Sequence, residues 1–556
     1  MKSFSVFLVL TLAVFSAAAQ ADTNTPAAVS ATNGAAVQAD TNMPATQVET
    51  NLPAAQPGTN TVAIPANTMA TATTRPMSLQ DCIQEALQHN LDVQIERTAP
   101  EISLYNLNSG YGGYDATLNV SGDRTYSKQG AYVNDSSQVI LPTAAYQDVF
   151  NAGLSGATPW GMTYVIGNGP QNGQGNITES WGQKSLGSTT TNYNGTSGSI
   201  GVNLTQPLLK NFWIDKNRLT IKLAKNQLRS DEQGLRLQII NSITAVQNAY
   251  YELIYAQENL KVQQEALVLA QTQLNQDRQR VQIGTLAQLD VQQDESQVAT
   301  SQANLIAAQY TLAQDQNTLK NLLADTNYTV WHGTDIQPTE SITNALLQLF
   351  DLQDSWTKGL TMRPDLLQKR LAVEAQGIQL KFDRNQIFPE LDVVGSYGYN
   401  GAGREYSDVF SQFNDADRPF YSIGGQLSMP LSNIGARNTY KSDKVTLQQL
   451  LLKMKQFEQN VMVEIDNAIK NAQSTYESVG ATRQARFYAE AALDAEQKKY
   501  AVGKSTTFTV LQLQNTLTTD RGLEIRALAN YYEALANLSQ QEGSTLDHLH
   551  IDVVAR

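Results

Sequence analysis

The chain has 556 residues, of which 41% are hydrophobic and 16% charged, and its formal net charge is −13 at neutral pH. This length and apolar content suffice for large cores, while the acidic balance argues against nucleic-acid binding. The one cysteine, Cys82, lies inside a helical pattern, which excludes both a disulfide framework and an acylated N-terminal cysteine.

The first 76 residues predict an export signal followed by a segment without a fold. Lys2 precedes an apolar run over 4–15 and a stretch of small residues, which is typical of a secretory signal over 1–21. Residues 22–76 are rich in Thr, Asn, Ala and Pro and have no helical period, so we predict a disordered leader. No later run provides the roughly 20 apolar residues that a membrane-spanning helix needs.

One order of elements then occurs twice: helix, strand, loop, strand, long helix, glycine turn and helix. The string SIGVNLTQPL at 199–208 and the string SIGGQLSMPL at 422–431 each alternate apolar and polar residues before a long helical pattern. The predicted divisions are a first repeat over 77–325, a connecting segment over 326–361, a second repeat over 362–542 and a tail over 543–556.

The strands carry one aliphatic face that ends in tyrosines and one small polar face, which is typical of a transmembrane barrel. We predict four strands per chain, beginning near Thr117, Ser199, Glu390 and Ser422, with a long insertion between 126 and 199 in the first repeat. Within it, residues 149–166 predict an extra hairpin that either joins the wall or extends above it. Four strands cannot close a barrel, and open edges are not tolerated in lipid, so other chains must complete it.

Long helices are predicted over 218–283 and 436–502, with shorter return helices over 286–324 and 505–541. Apolar residues recur every seven positions along them, as in Ile239, Val246 and Leu253, and predict coiled-coil seams. Helices over 78–110 and 364–386 are expected to stack end to end with the return helices and match the long ones in length.

These features together resemble the outer membrane efflux proteins, the TolC-like outer membrane factors. The resemblance rests on the junctions QPLLKNFWIDKNR and MPLSNIGARN, the RPDL string that opens the second repeat, and the turns VQIGTLAQLDV and YAVGKSTTFTV. It implies a mixed α and β membrane protein, a homotrimer whose twelve-stranded outer-membrane barrel continues into a periplasmic coiled-coil tunnel. Its equatorial region would include a short helix near 342–356 and the tail.

The resemblance further implies a passive exit duct for a tripartite efflux pump or a type I secretion system. Its partners would be a periplasmic adaptor, an inner-membrane transporter and outer-membrane lipid. The adaptor would dock at the two helix-turn tips, whose glycines permit a positive φ. The candidate docking residues are Val281, Gly284, Leu286, Leu289, Asp290, Val291, Val502, Gly503, Ser505, Thr506 and Val510. Thr509 stands where Asp290 stands in the first tip, so we expect the two tips to differ.

Glu490 and Asp494 lie one turn apart and resemble the segment that carries the family's inward-facing acidic ring. A solvated outer face of the coiled coil is the open alternative for them. No nucleophile–base spacing, phosphate loop or paired metal-ligand motif is present, so the sequence predicts no enzyme, cofactor or metal site. The other function classes left open are a periplasmic coiled-coil structural protein and a surface adhesin. The transported substrate has no signal in the sequence.

Overall fold

The computed structural model describes residues 73–133, 135, 139–167, 177–186, 189–323, 333–342 and 345–551. Its helices are α1 (Leu79–His89), α2 (Leu91–Tyr111), α3 (Lys216–Gln282), α4 (Gln288–Leu323), α5 (Leu352–Met362), α6 (Pro364–Gln386), α7 (Tyr406–Asp415), α8 (Ile434–Ala501), α9 (Thr507–Glu542) and α10 (Thr545–His548). Its strands are β1 (Thr73–Met77), β2 (Thr117–Gln129), β3 (Tyr132–Val133), β4 (Val139–Ile140), β5 (Thr143–Ala157), β6 (Thr163–Gly167), β7 (Ile177–Leu186), β8 (Thr189–Pro207), β9 (Thr334–Pro338), β10 (Glu390–Gly403) and β11 (Pro419–Ser428). Among these described helices, none combines the length and apolarity needed to cross a bilayer. The predicted signal and the leader up to residue 72 lie outside the described residues.

The four predicted coiled-coil helices are confirmed. The long helices α3 and α8 have 67 and 68 residues, and the return helices α4 and α9 have 36 each. Most seam residues are buried where two helices meet, because the seven-residue spacing keeps one stripe facing the partner. The buried members include Ile239, Val246, Leu253 and Leu274 on α3, Ile465, Ala472, Val479 and Leu493 on α8, and Val510, Leu517 and Leu538 on α9.

The predicted end-to-end stacking of short helices is also confirmed, and one polar side chain marks each joint. Asn90 caps α2 by accepting hydrogen bonds from Asp92 and Val93, and its amide nitrogen lies 3.0 Å from the Leu322 carbonyl oxygen at the end of α4. Arg363 precedes α6, and its guanidinium lies 3.1 Å from the Gln541 side-chain oxygen on α9. Pairs of short helices thereby run beside α3 and α8.

A parallel pair of strands, β1 and β9, closes the core where these helices meet. Thr73 pairs with Thr334 and Met77 with Pro338, and the Tyr250 hydroxyl donates to the Met77 carbonyl oxygen at 3.2 Å. The prediction of a disordered leader is therefore wrong for residues 73–76, because their backbone is paired with a strand distant in sequence.

The connecting segment holds α5, which lies later in the chain than the short helix predicted near 342–356. Asp351 fixes its start, since the carboxylate accepts a hydrogen bond from the Gln353 amide at 2.9 Å. Residues 343–344 lie outside the described residues. The tail contains α10, and residues 552–556 lie outside the description.

The prediction of four strands per chain is wrong, because one sheet contains seven. Its order is β11–β10–β8–β6–β5–β2, and β7 also pairs with β5 and β8, so β6 and β7 share one position and the sheet has six positions. The hairpin expected within 149–166 therefore adds strands to the sheet: β5 pairs with β2, and β6 with β8. Residues 178–186 are also paired with β8 in this ladder, although their polar composition is typical of a loop.

The pairing register gives this sheet two different faces. Leu118, Leu154, Ile166, Val202 and Tyr397 lie opposite one another on consecutive strands, and they form an apolar row across the sheet. The other face is small and polar: Ser396 and Ser422 lie 2.7 Å apart, and Asn119 donates to Ser155. At the level where the apolar face ends, Arg124 pairs with Asp148, and beyond that pair Tyr146 stacks on Trp181 with ring centroids 5.3 Å apart.

The turn between β5 and β6 tests whether the additional hairpin belongs to the sheet. Gly161 in this turn has φ 89°, and a β-carbon there would lie 2.7 Å from the Asn211 carbonyl oxygen beyond β8. We expect Gly161→Val to lower the free energy of unfolding by about 1–3 kcal/mol, the usual cost of such backbone strain. Thermal unfolding measures the change. Gly122→Val on β2, where no atom lies within 4 Å, is the matched control. Equal unfolding midpoints for the two variants would contradict this placement of the hairpin.

Candidate functional site at the helical tips

The two glycine turns predicted between long and return helices have the same geometry. Gly284 has φ 78° and Gly503 has φ 73°. In the first turn the Arg280 carbonyl oxygen accepts a hydrogen bond from the Thr285 amide at 2.9 Å. In the second turn the Lys499 carbonyl oxygen accepts from the Lys504 amide at the same distance. A β-carbon at either glycine would meet no atom within 4 Å, so the positive φ alone requires glycine.

The candidate docking residues divide by exposure. Gly284, Leu289, Val502, Gly503 and Thr506 are exposed; Val281, Leu286, Asp290 and Ser505 are half-buried; Val291 and Val510 are buried in the seams. Two further apolar side chains, Ile283 at 74% exposure and Phe508 at 64%, accompany them. Sequence reasoning missed both, although their positions off the heptad seam are the signal that they face outward.

The two tips differ in how their return helices begin. In the second tip, Thr506 caps α9, its hydroxyl lying 3.0 Å from that of Thr509. The Ser505 hydroxyl donates to Glu496, whose carboxylate also accepts from Lys499 at 2.8 Å. In the first tip, Asp290 lies in the first turn of α4, where its negative charge interacts favourably with the helix dipole. A network of three hydroxyl groups thus holds the second tip, whereas in the first tip the Thr285 hydroxyl donates to the Arg280 carbonyl oxygen at 3.0 Å.

A buried tyrosine ties the two tips together. The Tyr500 hydroxyl on α8 lies 2.7 Å from an Asp277 carboxylate oxygen on α3 and 2.9 Å from the Thr507 hydroxyl on α9. Burial raises the pKa of Tyr500 to about 12, so the hydroxyl remains a donor at neutral pH. Sequence reasoning missed Asp277 as a site residue. Its signal was a charged residue three positions after Leu274, where the seam requires an apolar one.

Glu490 and Asp494 are both exposed, and both are paired with cations. Glu490 lies 3.3 Å from Arg486 and 3.5 Å from Arg521, while Asp494 pairs with Lys498 one turn away. Both acids line a groove of about 720 Å³ between α3, α8 and α9. Their charges are therefore largely balanced within the chain.

The described residues contain no group of three or more His, Cys, Asp or Glu side chains that could hold a metal ion. Of the four histidines, His332 lies outside the description, and His548 and His550 lie in and just after α10.

A family model described as "Outer membrane efflux protein" matches residues 173–325 and 358–544, which is more than half of the chain. Among curated relatives, the outer membrane efflux protein BepC of Brucella suis is 23% identical, over 58% of this chain and 67% of the relative. The outer membrane protein TolC of Escherichia coli is 26% identical, over 56% and 64%. The chain thus spans about two thirds of the length of these relatives.

Solved structures of outer membrane channels have the same fold. The CmeC channel of Campylobacter jejuni aligns with a TM-score of 0.59 at 14% identity, covering 84% of this chain and 86% of that one. The outer membrane protein VceC of Vibrio cholerae aligns with a TM-score of 0.60 at 17% identity, covering 84% and 96%.

The tie between the tips is tested by Tyr500→Phe. Loss of a hydrogen bond to a buried carboxylate costs about 1.5–3 kcal/mol, so backbone amides of the two turns should exchange with deuterium at least about tenfold faster. Hydrogen–deuterium exchange by mass spectrometry measures this. Tyr488→Phe on the same helix, at a position 67% exposed, is the control. The same exchange rates in both variants would contradict the tie.

Proposed function

The chain belongs to the outer membrane efflux protein family, and from that premise we propose that it is the outer-membrane exit duct of an export system. The sheet lies in the outer membrane, and the helices extend into the periplasm. Substrates pass through without chemical change, delivered by an inner-membrane transporter and a periplasmic adaptor of a tripartite efflux pump or a type I secretion system.

The observation that carries this proposal is the exposed apolar face of the sheet. On β10 this face runs from Leu391 to Tyr399, within the 9–11 residues with which a tilted strand crosses a bilayer. Tyr421 and Ile423 on β11 continue it, each 82% exposed. An exposed apolar face of this extent is costly in water and favourable against lipid tails, and the small polar face opposite it suits a water-filled lumen.

We further propose that three copies close the barrel. Within the described residues β2 pairs only with β5, and β11 only with β10, so each chain has two open edges. Pairing β11 of one copy with β2 of the next satisfies both. With six sheet positions per copy, the barrel of three copies is wider than the twelve-stranded barrel expected from four strands per copy, because barrel diameter grows with strand number.

The tips are the proposed docking surface for the adaptor. They lie at the ends of α3 and α8 remote from the sheet, and the candidate docking residues there include exposed apolar side chains such as Leu289 and Val502. Ile283 and Phe508 enlarge this apolar surface. In a trimer the two tips of each copy would form a ring of six at the periplasmic mouth.

Substitutions at the tip glycines test the docking role. Gly284→Val or Gly503→Val forces a β-branched residue into positive φ, so the turn must change shape while the heptads are untouched. We expect loss of export with normal assembly, measured by complementation of a strain that lacks its own exit duct, with trimer content measured alongside.

Asparagine tolerates the left-handed conformation, so Gly284→Asn and Gly503→Asn are matched controls that should retain most export. Export that survives both valine substitutions would show that docking does not depend on these turns. Export lost in the asparagine variants as well would assign the effect to lost contacts instead of turn shape.

We propose Glu490 and Asp494 as lumen-facing residues at the narrow part of the duct. Replacing both with Ser removes two negative charges from each copy, while Arg486 keeps its ion pair with Glu524 and Arg521 keeps its pair with Glu265, so the constriction becomes less negative. Block of ion current by multivalent cations should then fall and single-channel conductance should rise, as planar-bilayer recordings would measure. Asp466→Ser, which removes a similar (i, i+4) ion pair with Lys470 on the same helix, should change neither the cation block nor the conductance. Unchanged cation block in the double variant would place both acids on the outer face.

A further inference from the structure

Two buried carboxyl groups face each other near the tips, one on each helix of the first hairpin. Asp277 on α3 is fully buried, and Asp294 on α4 is 1% exposed. Neither Asp294 carboxylate oxygen accepts a hydrogen bond from any described donor. Asp294 lies three positions after Val291 in the seam, as Asp277 does after Leu274, so the heptad spacing brings both acids into one interior.

The groups around this pair stabilise only one negative charge. Asp277 accepts from Gln273 at 2.7 Å and from Tyr500 at 2.7 Å, and Arg280 lies 3.6 Å from it. From α4, Asp290 adds a further negative charge near Asp294, and from α9 the facing group is the neutral Thr507. Two ionised carboxylates in this interior would repel each other strongly, whereas one proton makes Asp294 a donor to Asp277.

Burial, followed by the charge of Asp277, raises the pKa of Asp294 to about 7. Because folding raises the pKa of Asp294, the contact stabilises the protein when Asp294 is protonated. This stabilisation is fully present below the ordinary carboxyl pKa and is lost as pH rises through about 7.

A second acid pair joins α3 to α9. Glu533 on α9 faces Glu252 on α3, and one buried oxygen of Glu533 has no described partner. Arg526 is the cation here, and it bonds to Glu252 at 2.5 Å, while Asp315 on α4 adds another acid. Burial, then Glu252, raises the pKa of Glu533 to about 7.

A third pair joins α6 to α8. Asp383 on α6 is 5% exposed and faces Asp443 on α8. Gln379 donates to both Asp383 oxygens, at 3.0 and 3.3 Å. Burial, then the contact with Asp443, raises the pKa of Asp383 to about 6.

We propose that each of these three pairs binds one proton between two helices, so that the helical region is built to pack most tightly in acidic surroundings. The pairs stand at separate places along the helices, and each places one acid against another across a helix interface: Asp294 and Asp383 are buried there, and Glu533 is half-buried. The pair of Asp277 and Asp294 near the tips also makes the packing of α3 against α4 dependent on pH.

The test is infrared spectroscopy of the full-length protein in detergent at pH 6. Ordinary carboxyl groups are ionised at this pH, so a protonated-acid carbonyl band reports the proposed pairs. We expect the band in the natural protein, a partial loss in each of Asp294→Asn, Glu533→Gln and Asp383→Asn, and complete loss in the triple variant. The control, Asp466→Asn, removes a half-buried acid that is paired with Lys470 and should leave the band unchanged.

Thermal unfolding gives an independent readout that does not rely on the band. Between pH 5 and pH 8, the unfolding midpoint of the natural protein should fall further than that of the triple variant, because Asn and Gln donate hydrogen bonds without titrating. Absence of the band in the natural protein would overturn the proposal. A fall in its midpoint after chelation with EDTA would also overturn it, because a bound cation would then replace the proton.

Discussion

The open edges of the sheet are the constraint on which the rest of this architecture depends. β2 and β11 each present a row of backbone donors and acceptors that no described strand of the chain pairs. An unpaired backbone group in a bilayer costs several kcal/mol, so a sheet with an apolar outer face cannot remain open there. In the proposed duct, pairing with other copies of the chain satisfies this constraint, so the duct is a property of the proposed assembly.

The helices of the chain are matched in length. Joints at Asn90 and Arg363 let two short helices run beside each long one, so neither α3 nor α8 exposes an unpartnered half. The contact between Asp277 and Tyr500 then fixes both tips at the same level. The proposed docking surface at the tips depends on this matching.

The sequence predicts the parts of the fold that local rules determine. Heptads specify the four long helices, and Gly284 and Gly503 mark turns that need a positive φ. Alternation at 149–166 predicts the hairpin of β5 and β6 but not that it joins the sheet. The strand β7 is not predictable in this way, because its small polar residues are as typical of loops, and β1 pairs with a strand about 260 positions away. Asp277 and Asp294 can be recognised in the sequence as charged residues at seam positions that are otherwise apolar. Spacing alone does not identify Tyr500, 223 positions from Asp277, as the donor that satisfies one of them.

The most direct test of the account is disulfide crosslinking between the open edges. Cys82 is fully buried, so cysteines introduced in pairs, one at Asn119 or Ser121 on β2 and one at Ser422 or Gly424 on β11, report pairing between copies. Oxidation in native membranes should convert at least one double-cysteine variant into a covalent trimer, while the single-cysteine variants stay monomeric on denaturing gels. A chain that assembles in the membrane but yields no covalent trimer with any pair would contradict closure of the sheet by three copies.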